Sequence, residues 1–93
     1  MKIEIYTKST CPYCYRAKDL LAKKKLKFTE YDLLDDPELR TEMIERANGL
    51  STVPQIFIND KYLSDCDGLY TLEQNGTLDS IIEKNTWVQK VSF

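Results

Sequence analysis

A pair of cysteines separated by two residues, Cys11 and Cys14, lies where a strand pattern changes into a helix pattern. Polar and apolar residues alternate over residues 2–6, which is typical of a half-buried strand. Pro12 suits the first position of a helix, and apolar residues recur after it at three- and four-residue spacing to about Lys25. The chain must therefore fold so that two thiols lie at the first turn of a helix that follows a strand.

The remaining residues predict a further alternation of strands and helices. A second strand is predicted over 26–34, and a second helix follows the turn at Asp36 and Pro37 and ends at Gly49. The later elements are a strand over 55–58, a hairpin turn at Asn59 and Asp60, a returning strand over 61–63, and helical segments around Leu69, Leu72, Leu78 and Ile81. Two strands joined by a helix pair in parallel through a right-handed crossover, whereas the strands of a hairpin are antiparallel.

The expected fold is therefore α/β: one four-stranded mixed sheet, in the order β-α-β-α-β-β-α, flanked by helices on both faces. A chain of 93 residues buries one core and leaves no room for a second domain. The expected single domain has its core over residues 2–84, with residues 85–93 as a C-terminal tail.

The absence of histidine and the presence of only three cysteines exclude several kinds of chemistry. Ser-His-Asp and Cys-His hydrolases both need an imidazole base. Three cysteines are too few for a four-cysteine zinc or iron–sulfur site within one chain. They are also odd in number and too sparse for a disulfide-stapled secreted domain, which favours a reducing, cytoplasmic location.

The net charge of −2 argues against nucleic-acid binding, but the charge is divided unevenly, at +6 over residues 1–27 and −8 over the remainder. The basic part could attract an acidic ligand. Alternatively, the lysines at 23, 24, 25 and 27 form a solvated helix end, where cations suit the helix dipole. No apolar run approaches the roughly 20 residues that a membrane span needs, and the alternating start is unlike a signal peptide.

The spacing of Cys11 and Cys14 suits a reversible disulfide. Side chains three residues apart share a helix face with Cβ atoms about 5–6 Å apart, and a small adjustment reaches the roughly 4 Å of a disulfide. The helix N-terminus favours a thiolate at Cys11, and Lys8 can add a cation that tunes its ionisation. Cys14 lies one turn further in and is expected to stay protonated, so Cys11 is predicted to attack and Cys14 to resolve.

Two other interpretations of this cysteine pair remain open at this point. The pair could be half of a zinc site completed by Cys66, a carboxylate or another chain, or two buried structural cysteines. A strand, the CxxC motif and a helix within a βαβ pattern favour thioredoxin-like redox chemistry instead.

Four stretches of the sequence together resemble the dithiol glutaredoxins. They are Ile5-Tyr6-Thr7-Lys8, Thr10-Cys11-Pro12-Tyr13-Cys14, Arg16-Ala17-Lys18 and Thr52-Val53-Pro54-Gln55-Ile56-Phe57-Ile58. The resemblance extends from about residue 2 to residue 83. It implies a thioredoxin fold and glutathione-dependent reduction of disulfides. It also implies a cis peptide bond between Val53 and Pro54 that faces the redox cysteines.

The resemblance further implies a glutathione site formed by Lys8, Tyr13, Thr52, Val53, Pro54, Cys66 and Asp67. In this arrangement Lys8 lies near the glycyl carboxylate, Tyr13 lies against the body of the ligand, and the backbone of Val53 bonds the cysteinyl unit. Thr52 orients the loop, and the helix start at Cys66 and Asp67 receives the γ-glutamyl end. Glutathione is the expected reducing co-substrate, and no metal is expected.

The stretch at residues 63–68 departs from the family, which usually carries two glycines here and often a second aspartate. Ser64 and Asp65 replace the glycines, and Gly68 stands where the second acidic residue is common. One partner for the ligand ammonium is then missing, and either Asp65 or Asp67 substitutes for it or glutathione binds more weakly. We expect the second, and therefore expect Gly68→Asp to strengthen binding. Cys66 is expected to be a small, semi-buried residue, with adventitious glutathionylation as the alternative.

The sequence thus predicts a monomeric glutaredoxin that acts on glutathione and on disulfide-bonded or glutathionylated proteins, with no nucleic-acid or membrane partner. Two alternatives stand beside it. The first is a cluster carrier in which two chains hold [2Fe–2S] through Cys11 and bound glutathione, although Pro12 lacks an N–H that could bond a cluster sulfide. The second is a thioredoxin-like reductant recharged by a flavoprotein reductase, which the unusual stretch at 63–68 leaves open.

Overall fold

The computed structural model describes residues 1–91, and it describes side chains for residues 1–84. Its elements in chain order are β1 (Ile3–Thr7), α1 (Pro12–Lys23), β2 (Thr29–Asp32), α2 (Glu38–Arg46), β3 (Gln55–Ile58), β4 (Lys61–Ser64), α3 (Cys66–Gln74) and α4 (Thr77–Val91). Within this part of the chain, no helix combines the length and the apolar character that crossing a membrane requires.

The four strands form one mixed sheet in the order β2-β1-β3-β4. Strand β1 is parallel to β2 and antiparallel to β3, and β4 is antiparallel to β3. The hairpin turn has positive φ at both Asn59 (50°) and Asp60 (68°), as a two-residue turn between twisted strands requires. The predicted α/β fold with a four-stranded mixed sheet is confirmed.

Strand β1 is the centre of the molecule because all five of its residues are buried. Ile3 and Ile5 belong to the core on the side of α1, α3 and α4, together with residues such as Leu21 and Leu69. The next residue, Tyr6, points to the opposite face and packs in a second core with residues of α2. The two cores give the molecule three layers, helix–sheet–helix. They also fix the position of the C-terminal end of β1, after which the chain turns into α1.

A buried ion pair ties β1 to α2. Glu4 is only 4% exposed, and the Arg46 guanidinium reaches its carboxylate at 2.8 and 3.2 Å. Arg46 also donates to the Tyr6 hydroxyl at 2.8 Å, and the Tyr31 hydroxyl donates to Glu4 at 2.9 Å. The hydrogen bonds from Arg46 hold the pKa of the Glu4 carboxyl below its ordinary value, so this carboxylate is charged inside the fold.

Two predicted boundaries differ from the structure around β2. Helix α1 ends at Lys23, and Lys25 then takes a left-handed φ of 59°, which turns the chain out of the helix. Strand β2 covers four residues rather than the predicted 26–34, because a turn closed by the Asp35 N–H and the Asp32 oxygen ends it. The helix start at α2 is close to the prediction, since Asp36 Oδ1 accepts from the Glu38 N–H at 3.0 Å.

Of the lysines at 23, 24, 25 and 27, three are exposed as expected, but Lys24 and the last helix differ from expectation. The Lys24 ammonium lies 2.7 Å from Glu73 and 2.6 Å from Asp79, which joins the end of α1 to α3 and α4. Helix α4 continues to Val91, seven residues into the segment 85–93 that the sequence suggested as a tail. The sequence also predicts that Trp87, Val88, Val91 and Phe93 anchor this segment, but their side chains lie outside the described part of the chain.

Candidate active site

Cys11 is the N-cap residue of α1. Its backbone is extended (φ −100°, ψ 112°), and its N–H donates to the Lys8 carbonyl at 3.0 Å, which closes the turn after β1. Its Sγ accepts a hydrogen bond from the Cys14 N–H at 3.3 Å. The Cys11 side chain thereby satisfies one of the N–H groups that the start of a helix leaves without a backbone partner.

Cys14 occupies the opposite kind of environment on the same helix turn. It is 1% exposed, whereas Cys11 is partly accessible to solvent. Burial raises the pKa of the Cys14 thiol to about 12, and its hydrogen bond with Cys11 acts in the same direction. The deeper burial of Cys14 that the sequence predicted is confirmed, and this thiol is protonated at neutral pH.

A loop before β3 faces the two cysteines. The Val53–Pro54 peptide bond is cis, as the resemblance implied, and the Cys11 thiol donates to the Val53 carbonyl at 3.8 Å. Gln55, which is fully buried, donates through Nε2 to the carbonyl and the hydroxyl of Thr52 at 3.0 and 3.2 Å. The side chain of Gln55 therefore holds the loop in place, and the loop backbone lies next to the Cys11 sulfur.

A cleft of about 110 Å³ opens beside this loop. Its lining residues are Tyr13, Thr52, Val53, Pro54, Asp65, Cys66 and Asp67. Six of the seven residues predicted for the ligand site thus meet in one place, although they come from three separate parts of the chain. Lys8 is not in the lining; its place in the site is the backbone contact with Cys11.

Asp65 lines the cleft but is not one of the seven residues that the resemblance implied for the ligand site. It is the N-cap of α3, and its Oδ1 accepts from the Gly68 N–H at 2.8 Å. An aspartate directly before a helical segment is a strong N-cap signal, which could have identified the residue from the sequence. Its carboxylate already uses one N–H at the helix end where a ligand carboxylate was expected to bind.

The two departures from the family at residues 64 and 68 depend on each other. A Cβ at Gly68 would lie 2.9 Å from the Ser64 Cβ and 3.1 Å from the Asp65 Oδ1. Because the Ser64 Cβ cannot move without its backbone, a side chain at 68 forces β4 and α3 apart. The expectation that Gly68→Asp alone strengthens ligand binding therefore overlooked a steric conflict with Ser64.

Arg16 places a cation next to the cleft. Its guanidinium lies 5.8 Å from the Tyr13 ring centre and 5.3 Å from that of Tyr70, whose hydroxyl donates to the Arg16 carbonyl at 3.0 Å. Burial raises the pKa of the Cys66 thiol, and the charge of Arg16 opposes that rise only in part. The third cysteine, which is 3% exposed, is therefore a protonated thiol in the wall of the cleft.

Within residues 1–84, there is no group of three or more carboxylate or cysteine side chains that could hold a metal ion.

Comparison with known proteins decides the family. A family model described as Glutaredoxin matches residues 3–63, which is more than half of the chain. The chain belongs to the glutaredoxin family. As a glutaredoxin it is a glutathione-dependent thiol–disulfide oxidoreductase, and the enzyme class predicted from the sequence is confirmed.

Individual glutaredoxins match this chain over most of its length. A probable glutaredoxin of Synechocystis is 49% identical over 81 residues, which are 87% of this chain and 92% of that protein. Glutaredoxin 3 of Escherichia coli K12 is 48% identical over 81 residues, which are 87% of this chain and 96% of that protein. The solution structure of a glutaredoxin from Brucella melitensis has 52% identity and a TM-score of 0.75, with 87% of each chain covered. The thioredoxin fold implied by the resemblance is thereby confirmed.

Proposed function

We propose that Cys11 is the nucleophile and Cys14 the resolving thiol of this glutaredoxin. The observation that supports the assignment most directly is the contrast between the two sulfurs of one helix turn. Cys11 is partly accessible and accepts an N–H hydrogen bond, whereas Cys14 is buried and has a raised pKa. The attacking group in thiol–disulfide exchange is a thiolate, so the accessible, anion-stabilised sulfur attacks first.

Removal of glutathione from a protein needs only Cys11. Its thiolate attacks the glutathionyl sulfur, the bond between glutathione and the protein sulfur breaks, and Cys11 becomes bonded to glutathione. The protein sulfur leaves as a thiolate, which takes up a proton from solvent. A second glutathione thiolate then attacks the glutathionyl sulfur, which regenerates the Cys11 thiolate and releases glutathione disulfide. Reduction of a protein disulfide uses both cysteines: Cys11 forms a mixed disulfide with the target, and Cys14 displaces the target thiol.

Glutathione is proposed to bind in the cleft next to Cys11. The Val53 backbone, close to the nucleophilic sulfur, would bond the cysteinyl unit of the ligand, and the half-exposed ring of Tyr13 would cover its body. Thr52 and Pro54 shape the loop, and Lys8 would attract the glycyl carboxylate and the thiolate.

The start of α3, at Cys66 and Asp67, would receive the γ-glutamyl end. Asp65 already accepts one N–H of this helix end, which supports the expected weaker hold on the ligand carboxylate.

The function is tested by comparing two reductants. Reduction of a glutathionylated peptide is followed with glutathione and glutathione reductase, and separately with thioredoxin reductase. We expect turnover with glutathione and none with thioredoxin reductase alone. The opposite result would favour a thioredoxin-like reductant, and a visible sulfide-to-iron band in anaerobically purified protein would favour a cluster carrier.

A dithiol that must return to its reduced form fits a reducing cytoplasm, where we propose that the protein acts as a monomer.

A further inference from the structure

Resolution by Cys14 requires a thiolate where the fold disfavours one. The thiol is 1% exposed, and burial is the main cause of its raised pKa. Thiol–disulfide exchange is proportional to the thiolate fraction of the attacking sulfur, so this step is slow unless something near Cys14 offsets its desolvation. The proposed roles of Cys11 and Cys14 leave open which group does so.

Lys18 lies on the face of α1 that carries Cys14. The two residues are four apart in one helix, and such positions are neighbours one turn away. The Lys18 ammonium is 2.9 Å from the Glu30 carboxylate on β2, and it lies 4.6 Å from the ring centre of Tyr15. Its side chain is only 22% exposed, so the cation is held against the protein instead of extending into solvent.

The position of Lys18 is fixed through the sheet. Glu30 accepts a hydrogen bond of 2.7 Å from the hydroxyl of Thr7, which is fully buried at the end of β1. Thr7 therefore anchors Glu30, and Glu30 anchors Lys18, beside the strand end that leads to the active-site turn.

Burial raises the pKa of Cys14 most strongly, and the neighbouring Cys11 sulfur acts in the same direction. The backbone amide of Lys8 and, more weakly, the charge of Lys18 lower it, so Lys18 is a side-chain cation that favours the ionised form of Cys14. The influence is mutual, because the Cys14 thiolate in turn favours the charged form of Lys18.

We propose that Lys18, held by Glu30 and Thr7, is a positioning residue for the resolving step, because its charge stabilises the transient Cys14 thiolate. The proposal rests on the proposed roles of the two cysteines. In this step Cys14 loses its proton to solvent, and its sulfur attacks Cys11 Sγ. The bond between Cys11 and the target sulfur breaks, and the target leaves as a thiolate that takes up a proton. Cys14 is oxidised and the target sulfur is reduced, with no other reactant.

The two steps can be timed separately with dithionitrobenzoate. Reduced protein is mixed with an equimolar amount of the reagent, and release of the yellow thionitrobenzoate anion is followed by stopped flow. Attack by Cys11 releases the first anion at a rate that depends on concentration. Attack by Cys14 on the resulting mixed disulfide releases the second anion at a rate that is independent of concentration. This phase is identified by its absence in the Cys14→Ser variant.

We expect Lys18→Gln to slow the second phase about three- to tenfold, because a smaller fraction of Cys14 is ionised without the cation, and to leave the first phase nearly unchanged. Lys18→Arg should restore the second phase because it keeps the charge. The matched control is Lys24→Gln, which also removes a salt-bridged lysine, but at the far end of α1. It should leave both phases unchanged.

An unchanged second phase in Lys18→Gln, an equal loss in both phases, or a failure of Lys18→Arg to restore the rate would overturn the role of Lys18. A wild-type protein without a rapid first phase would instead contradict the proposed role of Cys11. The two failures are therefore distinguishable in one experiment.

Discussion

The Cys14 N–H donates a hydrogen bond to the Cys11 Sγ at 3.3 Å, so the sulfur that we propose as the nucleophile caps the helix in which the other thiol is buried. This one contact makes the two thiols unequal. It leaves Cys11 as a partly accessible hydrogen-bond acceptor at the helix start, while burial raises the pKa of the Cys14 thiol. The roles proposed for the two thiols need no histidine, which the chain lacks.

Replacing the resolving thiol should separate the two reactions of the enzyme. We expect Cys14→Ser to retain removal of glutathione from a glutathionylated peptide, because that route uses Cys11 alone. The rate at which the variant reduces a protein disulfide should fall at least about tenfold, because no second thiol on the enzyme can attack the mixed disulfide with the target. Steady-state rates on the two substrates, measured with the same glutathione-coupled assay, provide the check. Equal losses on both substrates would contradict the division of roles.

The cap of α3 should contribute measurably to stability. Asp65→Ala removes the acceptor for the Gly68 N–H and is expected to lower the free energy of unfolding by about 1 kcal/mol. Asp65→Asn keeps an oxygen acceptor and serves as the matched control. It should lower the free energy of unfolding by only about a few tenths of 1 kcal/mol. Urea denaturation of the three proteins measures the difference. If Asp65→Asn were as unstable as Asp65→Ala, the capping hydrogen bond would not be the cause.

Residues 64 and 68 should have to change together. Gly68→Asp alone is expected to lower the melting temperature, because its Cβ would lie 2.9 Å from the Ser64 Cβ, and overpacking of this kind costs about 1–3 kcal/mol. The double variant Ser64→Gly/Gly68→Asp removes that contact and should recover most of the stability.

The double variant should also lower the KM for a glutathione mixed disulfide, because an added carboxylate can pair with the ligand ammonium. Ser64→Gly alone is the control for the loosened strand. A KM in the double variant no lower than in Ser64→Gly would refute the missing-partner explanation of weak binding.

The buried pair of Glu4 and Arg46 should be the most sensitive electrostatic contact of the fold. Arg46→Met leaves the buried Glu4 carboxylate with only the more distant Lys2 ammonium, at 3.8 Å, and we expect a loss of about 3 kcal/mol in the free energy of unfolding. The double variant Glu4→Gln/Arg46→Met should be more stable than Arg46→Met, because no unpaired charge remains.

The pH dependence of this pair has a definite sign. In the wild type the pKa of Glu4 is lowered, so its contribution to stability is complete above 4.5, its ordinary value, and is lost as the pH falls below it. In Arg46→Met, burial should raise that pKa, and acidification toward 4.5 should then reduce the deficit relative to wild type. Thermal unfolding across this range measures both curves, and parallel curves would contradict the account.

Local patterns were enough to predict the active-site turn. Pro12 after Cys11, the alternation of β1 and the apolar spacing of α1 act between near neighbours in the chain, so their outcome could be read without the rest of the fold. The cis isomer at Val53–Pro54 could be predicted only from the family resemblance, because the residues around a proline that precedes a strand do not specify the isomer.

Contacts between distant parts of the chain were not predictable in this way. Glu4 and Arg46 each look like surface charges, and only the pairing of β1 with α2 brings them together. The conflict between Ser64 and a side chain at 68 depends on the angle at which α3 leaves β4, which no local signal specifies. Lys24 likewise found partners on two helices that follow it by about fifty residues.

The central claim, that the Cys11 thiolate carries the reaction, is tested most directly by the activity of Cys11→Ser. The measurement is the initial rate of glutathione-coupled reduction of a glutathionylated peptide, with thermal unfolding used to verify that the variant is folded. The account predicts no activity above the uncatalysed rate, although Cys14 and Cys66 are still present. A folded Cys11→Ser protein with activity comparable to wild type would contradict it.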